Sequence, residues 1–249
     1  MKCAARILAL AAAGVLVAGV TGAQTSQFAV IPYLWAAGFE GTVGTAGGDS
    51  GLGDRVSVET GALSENMGLG GAMLSLGWRS ARWTAFGDWT YAKVTSDVPS
   101  EWGTLYSGVG AEVKGNVGQA FAGYDLLGGG DAHLELFGGV RYYDLEVGLD
   151  LLAGTAEGRS LSGESQWTDG VVGVRWTAPF AEHWSAYVLG DVGGGGSNLS
   201  WQAIAVASYQ FSWGAVLFGW RHLDIDYDDG PFTLDAALSG PLLGLSFRF

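Results

Sequence analysis

The chain closes on Leu242-Leu243-Gly244-Leu245-Ser246-Phe247-Arg248-Phe249, and this ending constrains its fold more than any other stretch. Successive side chains of a strand point to opposite faces. Leu243, Leu245, Phe247 and Phe249 therefore share one face, and Leu242, Gly244, Ser246 and Arg248 share the other. A wholly apolar strand face ending on an aromatic residue is unfavourable in water. In lipid it is favourable, provided every backbone group is paired, and strands achieve that only in a closed barrel.

The first residues agree. Lys2 and Arg6 form a positive start, Ile7 to Val20 is an apolar run, and Thr21-Gly22-Ala23 offers a small-residue cleavage site before Gln24. This layout predicts a secretory signal peptide over residues 1–23, since the run is too short to span a bilayer. Cys3, the single cysteine, lies in the segment to be removed. Residues 24–249 are then free of disulfide and thiol chemistry and long enough for one domain. The chain has 43 Gly, 11 Trp and only 15% charged residues, with no later apolar run long enough for a membrane helix. That balance suits strands whose sides alternate between lipid and lumen. A net charge of −13 disfavours nucleic acid as a partner and points to cations or to soluble loops.

Alternating segments recur along the chain. They run from Phe28 to Phe39, Met67 to Arg79, Trp83 to Val94, Thr104 to Asp125 and His133 to Asp150. Ser165 to Thr177, Trp184 to Val192, Asn198 to Tyr209, Trp213 to Tyr227 and Phe232 to Phe249 complete the set. The reading is an all-β fold, a closed antiparallel transmembrane barrel of about ten strands with both termini periplasmic. Eight or twelve strands stay open, because Glu40 to Asn66 could add a hairpin through Arg55 to Glu59 and a helical turn near Ala62 to Asn66. Trp201, Ala203, Ala205, Ala207 and Tyr209 share one face, aromatic at both margins and small between. Their span of roughly 20 Å along the membrane normal approaches the apolar band between two aromatic girdles.

The faces opposite the apolar stripes carry Arg79, Asp88, Glu112, Lys114, Asn116, Glu135, Arg141, Asp169, Arg175, Asp191, Gln202, Arg221 and Arg248. Acids and bases nearly balance, which predicts a narrow lumen filled by an arginine–carboxylate network, because unpaired charge in a tight interior is costly. Gly108, Gly110, Gly118, Gly139 and Gly173 would make room for the long side chains. Most remaining acids fall in expected outer loops and strand tops.

Two segments echo each other: Gly139-Val140-Arg141-Tyr142-Tyr143-Asp144-Leu145-Glu146 and Gly219-Trp220-Arg221-His222-Leu223-Asp224-Ile225-Asp226. Strict alternation puts each arginine and its following acids on opposite faces. Either a bulge near Tyr142 and His222 turns the acids inward, or Asp144, Glu146, Asp224 and Asp226 emerge above the membrane as a rim able to bind divalent cations.

Pro32-Tyr33-Leu34-Trp35, Trp167-Thr168-Asp169-Gly170-Val171-Val172-Gly173-Val174-Arg175, Trp201-Gln202-Ala203 and the Asp224-Ile225-Asp226-Tyr227 to Gly240-Pro241 ending occur together. In combination they resemble a family of poorly characterised outer-membrane β-barrel proteins of Gram-negative bacteria. The final Gly, two spacers and aromatic-x-aromatic also resemble the C-terminal signal of such barrels. The resemblance implies the outer membrane, contact with its lipid and lipopolysaccharide, and recognition of the last strand, ending at Phe249, by the barrel-assembly machinery. It implies no activity. Of three histidines, His133 and His183 lie beside expected periplasmic turns, and His222 shares a lipid face with Val216, Phe218 and Trp220. No catalytic, metal-ligand or cofactor spacing is found, so no cofactor is expected. A structural or surface-interaction barrel leads, with a narrow channel or small-solute binder as the alternative and an outer-membrane hydrolase last.

Overall fold

The computed structural model describes residues 26–45, 55–60, 72–98, 106–128, 130–155, 157–229 and 232–249. The expected signal segment 1–23 and the helical turn near Ala62 lie outside them. The regular elements described are strands: β1 Gln27–Trp35, β2 Gly38–Thr45, β3 Arg55–Thr60, β4 Ala72–Ser80, β5 Trp83–Val98 and β6 Tyr106–Asp125. They continue as β7 His133–Ala153, β8 Arg159–Ala181, β9 Trp184–Gly194, β10 Leu199–Gln210, β11 Ala215–Asp229 and β12 Phe232–Arg248.

β1 and β4 to β12 form a closed antiparallel ring of 10 strands, sealed where β1 meets β12 with Tyr33 opposite Gly244. β2 prolongs the line of β1 along the same partner, with Trp35 opposite Leu242 and Gly38 opposite Ser239. The Ala36 amide spans the break by donating to the Pro241 carbonyl at 2.9 Å. β3 pairs with β2, so the hairpin anticipated through Arg55 to Glu59 forms and lengthens the wall without adding to the ring.

The wall is uneven. β6, β7 and β8 run for 20, 21 and 23 residues, whereas β9 and β10 run for 11 and 12. At the end away from the termini, the longer strands rise past the short β9–β10 hairpin. Above that hairpin the Ser165 hydroxyl of β8 donates to the Tyr227 hydroxyl of β11 at 3.0 Å. Chain continuity places both termini and the turns β4–β5, β6–β7, β8–β9 and β10–β11 at the opposite end.

Facing follows the pleat. Leu34, Leu76, Leu136, Val140, Val172, Val188, Phe218 and Leu243 are exposed on the outer surface. Near the termini, a belt of rings runs Phe180–Trp184–Tyr209–Phe211–Trp213–Phe247, successive centroids 4.7 to 6.2 Å apart. Farther along, Trp201 packs on His222 at 4.5 Å, with Trp89 and Tyr142 also exposed. An apolar band between two aromatic belts is the surface a bilayer solvates. Ala205 lies midway between them on the outer face of β10. Ala205→Arg should therefore cost about 2–4 kcal/mol in a bilayer. Equilibrium refolding into vesicles would measure it, and a near-neutral result would place this face out of lipid.

Candidate functional site

The charged residues read from the sequence meet inside the barrel, in a closed circuit of hydrogen bonds. Asp88 on β5, Gln119 on β6 and Arg141 on β7 form one trio: the Gln119 amide donates to Asp88 Oδ1 at 3.2 Å, and Arg141 Nε donates to Gln119 Oε1 at 3.0 Å. Asp191 on β9, Gln202 on β10 and Arg221 on β11 repeat it: Gln202 Nε2 donates to Asp191 Oδ2 at 2.9 Å, and Arg221 Nε donates to Gln202 Oε1 at 2.9 Å. Each arginine then closes on the other trio's acid. Arg141 Nη2 donates to Asp191 Oδ1 at 2.6 Å, and Arg221 Nη1 reaches Asp88 Oδ1 at 3.3 Å. Tyr33 of β1 joins the second junction, accepting from Arg221 at 2.7 Å and donating to Asp88 at 2.8 Å.

Both arginines are essentially buried, as is Asp191. Charges taken so far from water persist only where geometry pairs them. Of the two guanidinium groups, only Arg221 Nη2 lacks a hydrogen-bond partner among the described residues, and that guanidinium lies over the Trp35 ring at 4.5 Å. The internal echo of the sequence marks these two arginines. Two residues before each stands a glycine, Gly139 or Gly219. A Cβ there would press on the backbone of the preceding strand, within 2.8 Å of Phe121 Cα and 2.7 Å of Val206 Cα respectively.

On the projecting side of this circuit the lumen is apolar. Trp167 is sandwiched between Tyr143, 4.7 Å between centroids, and Tyr227, 3.9 Å, with interplanar angles of 20°. Trp35, Leu223, Ile225 and Leu234 pack into the same buried cluster. On the terminus side the wall opens into a funnel of about 750 Å³, floored by Tyr33, Asp88 and Arg221. In its wall Glu135 is buried and holds both Arg79 and Arg175, with Arg175 Nε at 2.7 Å, while Thr84 donates at 3.2 Å. His133 Nδ1 meets Asp125 at 2.6 Å, and Arg79 lies 3.5 Å from that carboxylate.

Most of the expected interior residues are inward-facing, including Arg79, Asp88, Glu135, Arg141, Arg175, Asp191, Gln202 and Arg221. Asp169 is also fully buried, but it holds a turn: it accepts from the Ser197 amide at 2.7 Å, the Ser197 hydroxyl at 2.6 Å and the Ser200 hydroxyl at 2.8 Å. Arg248 lines the exposed mouth of the funnel. Glu112 and Lys114 differ from the expectation. Glu112 bonds Lys114 at 2.8 Å and Lys93 at 2.7 Å on the outer face, beyond the second aromatic belt. The hydrogen bond from Lys114, with another from Lys93, holds the Glu112 carboxyl below its ordinary range. Asn116 shares that outer face, opposite Tyr91, and Gly118, opposite Trp89, faces open space. The reason is local: β6 turns Gln119, Phe121 and Asp125 inward, so its lipid face is made of Ala120, Ala122 and Tyr124. The interior is also less ionic than expected, since the stripe of Ile31, Tyr33, Trp35 and Phe39 faces the lumen.

No bulge interrupts β7 or β11 at Tyr142 or His222. Asp144, Glu146, Asp224 and Asp226 therefore face outward at the projecting end, the first two on β7 and the others on β11. Among the described residues, no group of three or more His, Cys, Asp or Glu could hold a metal. His222 points outward against Trp201, with its Nε2 at 4.0 Å from Asp224. Gln119, Tyr33, Asp125 and His133 were not anticipated as interior residues. Period-two spacing groups Gln119 and Asp125 with Phe121, Tyr33 with Trp35, and His133 with Glu135, but only Glu135, itself expected inside, gives its face a direction.

No protein-family model and no curated protein matches this chain. Among solved structures it is similar to the outer membrane protease OmpT from Escherichia coli, with a TM-score of 0.60 and 9% identity over 93% of this chain and 99% of that one. This is the fold of a bacterial outer-membrane barrel. At that identity the likeness concerns the fold alone, and proteolysis is a property of OmpT. The translocator domain of the autotransporter NalP from Neisseria meningitidis has a TM-score of 0.46 and 14% identity over 90% and 89% of the two chains. Ail, the attachment invasion locus protein of Yersinia pestis, has 0.39 and 10% over 91% and 99%. Likenesses that low carry no argument. The apolar band, the two aromatic belts and the closed ring place the chain in the outer membrane of Gram-negative bacteria, in contact with its lipid.

Proposed function

We propose that this protein is a non-conducting barrel whose role is structural or interactive at the membrane surface. The observation that carries the reading is the doubled Asp–Gln–Arg circuit, which crosses the lumen and is backed by the Tyr143–Trp167–Tyr227 stack. A diffusion pore needs a continuous water path, and a paired circuit under an aromatic layer leaves none of useful width. The end with the termini and short turns faces the periplasm, as short turns do in such barrels. The longer strands then project outward, and their acidic rim with Asp144, Glu146, Asp224 and Asp226 meets lipopolysaccharide and its divalent cations. Residues 1–23 act as the export signal, and the strand ending at Phe249 is read by the assembly machinery. No catalytic role is assigned, since His222 lies among lipid-facing rings.

Purified protein in planar bilayers is expected to give no large, stable conductance steps. Porin-sized currents would refute the reading. The funnel below the circuit favours small-molecule binding over conduction as the second reading.

A further inference from the structure

We infer that the funnel on the terminus side is a binding site for a single-chain amphiphile with an anionic head, such as a fatty acid. Its volume of about 750 Å³ falls within the range of small-molecule pockets. From Gln27 at the mouth to Tyr33 at the floor, β1 gives it a depth of roughly 15 Å along the axis of a tilted barrel.

The wall is mainly apolar. Ile31, Phe86, Ile204, Val206, Leu217 and Leu242 line it, and the circuit of Asp88 and Arg221 closes its far end. An alkyl chain entering here leaves water without uncovering the buried charges, which are already paired with one another.

The head group is set by the mouth. Arg248 stands there opposite Ala29 in the β1–β12 register, exposed, and among the described residues it makes no ion pair. Arg79 borders the same wall with about a quarter of its side chain exposed. The acidic side chains of the mouth, Asp131 and Glu182, belong to the β6–β7 and β8–β9 turns, away from the β1–β12 seam, where the Phe249 main-chain oxygen accepts from the Phe28 amide. A carboxylate at the seam gains a charge-assisted hydrogen bond to Arg248, whereas an ammonium head meets a cation there. This site lies below the circuit, and its occupation is independent of whether the barrel conducts.

The test uses the full chain in phosphatidylcholine nanodiscs, with laurate binding read as displacement of fluorescent cis-parinarate. Laurate should displace the probe beyond its partition into empty discs, and dodecyltrimethylammonium should not. Arg248→Gln should weaken laurate about tenfold, the loss expected for one charge-assisted hydrogen bond. Ala29→Trp, which fills the mouth from the opposite strand, should abolish displacement. Displacement no greater than in empty discs would overturn the assignment, and so would unchanged binding in Ala29→Trp. Equal affinity for laurate and dodecanol would remove the anionic head from it.

Discussion

Asp191→Ala is expected to lower stability by about 3–5 kcal/mol. Asp191 is the shared acceptor of Arg141 at 2.6 Å and of Gln202 at 2.9 Å, and the ion pair with Arg141 is wholly inaccessible. Removing the carboxylate leaves a guanidinium with no water to turn to, and strands the Gln202 amide with it. The loss is then the cost of an uncompensated buried charge, larger than the worth of the pair itself. Urea unfolding in lipid vesicles, followed by tryptophan fluorescence, would measure it. Asp144→Ala on the outer rim is the comparison, expected within about 0.5 kcal/mol of wild type. Similar small losses in both variants would show that the circuit does not hold the barrel shut.

Trp167→Ala is expected to cost about 3–5 kcal/mol, for a different reason. Its ring is stacked between Tyr143 and Tyr227, and the space it leaves is bounded by closely paired strands that cannot collapse into it. Trp167→Phe should cost clearly less. The indole Nε1 is buried without a hydrogen-bond partner among the described residues, so phenylalanine keeps most of the stack and removes an unsatisfied donor. Matching losses in the two variants, in the same unfolding assay, would mean that a phenyl ring does not replace the indole between the two tyrosines, and would contradict this account.

What the sequence made legible follows from the period of two. In β10, and in β12 from Ala237 onward, the outer face is apolar or small, so Leu243 and Ala205 could be placed without a structure. The arginines were legible because each stands alone among apolar neighbours, and the echo around Arg141 and Arg221 marked both halves of the circuit. β6 was not, because both of its faces mix apolar and polar residues, and the alternation gives no sign of which is wet. The pattern therefore points Glu112 and Lys114 to the lumen and does not single out Gln119, the hydrogen-bonding link between Asp88 and Arg141. β1 is silent for a related reason: its stripe through Tyr33 and Trp35 is as apolar as a lipid face. Its inward direction is fixed by cross-barrel partners, Tyr33 with Arg221 at 2.7 Å and Trp35 beneath the Arg221 guanidinium at 4.5 Å, which no local pattern encodes. Hydrogen bonds between residues 188 positions apart leave no periodic trace.

The central claim, a lumen open at the terminus end and sealed at the circuit, is tested most directly by cysteine reactivity. Residues 24–249 contain no cysteine, so single substitutions report without background. Ala29→Cys at the funnel mouth should react quickly with a water-soluble maleimide in folded protein, while Ser200→Cys, at a fully buried position beside Arg141, should stay unmodified until unfolding. Comparable labelling rates at the two positions would contradict the sealed lumen.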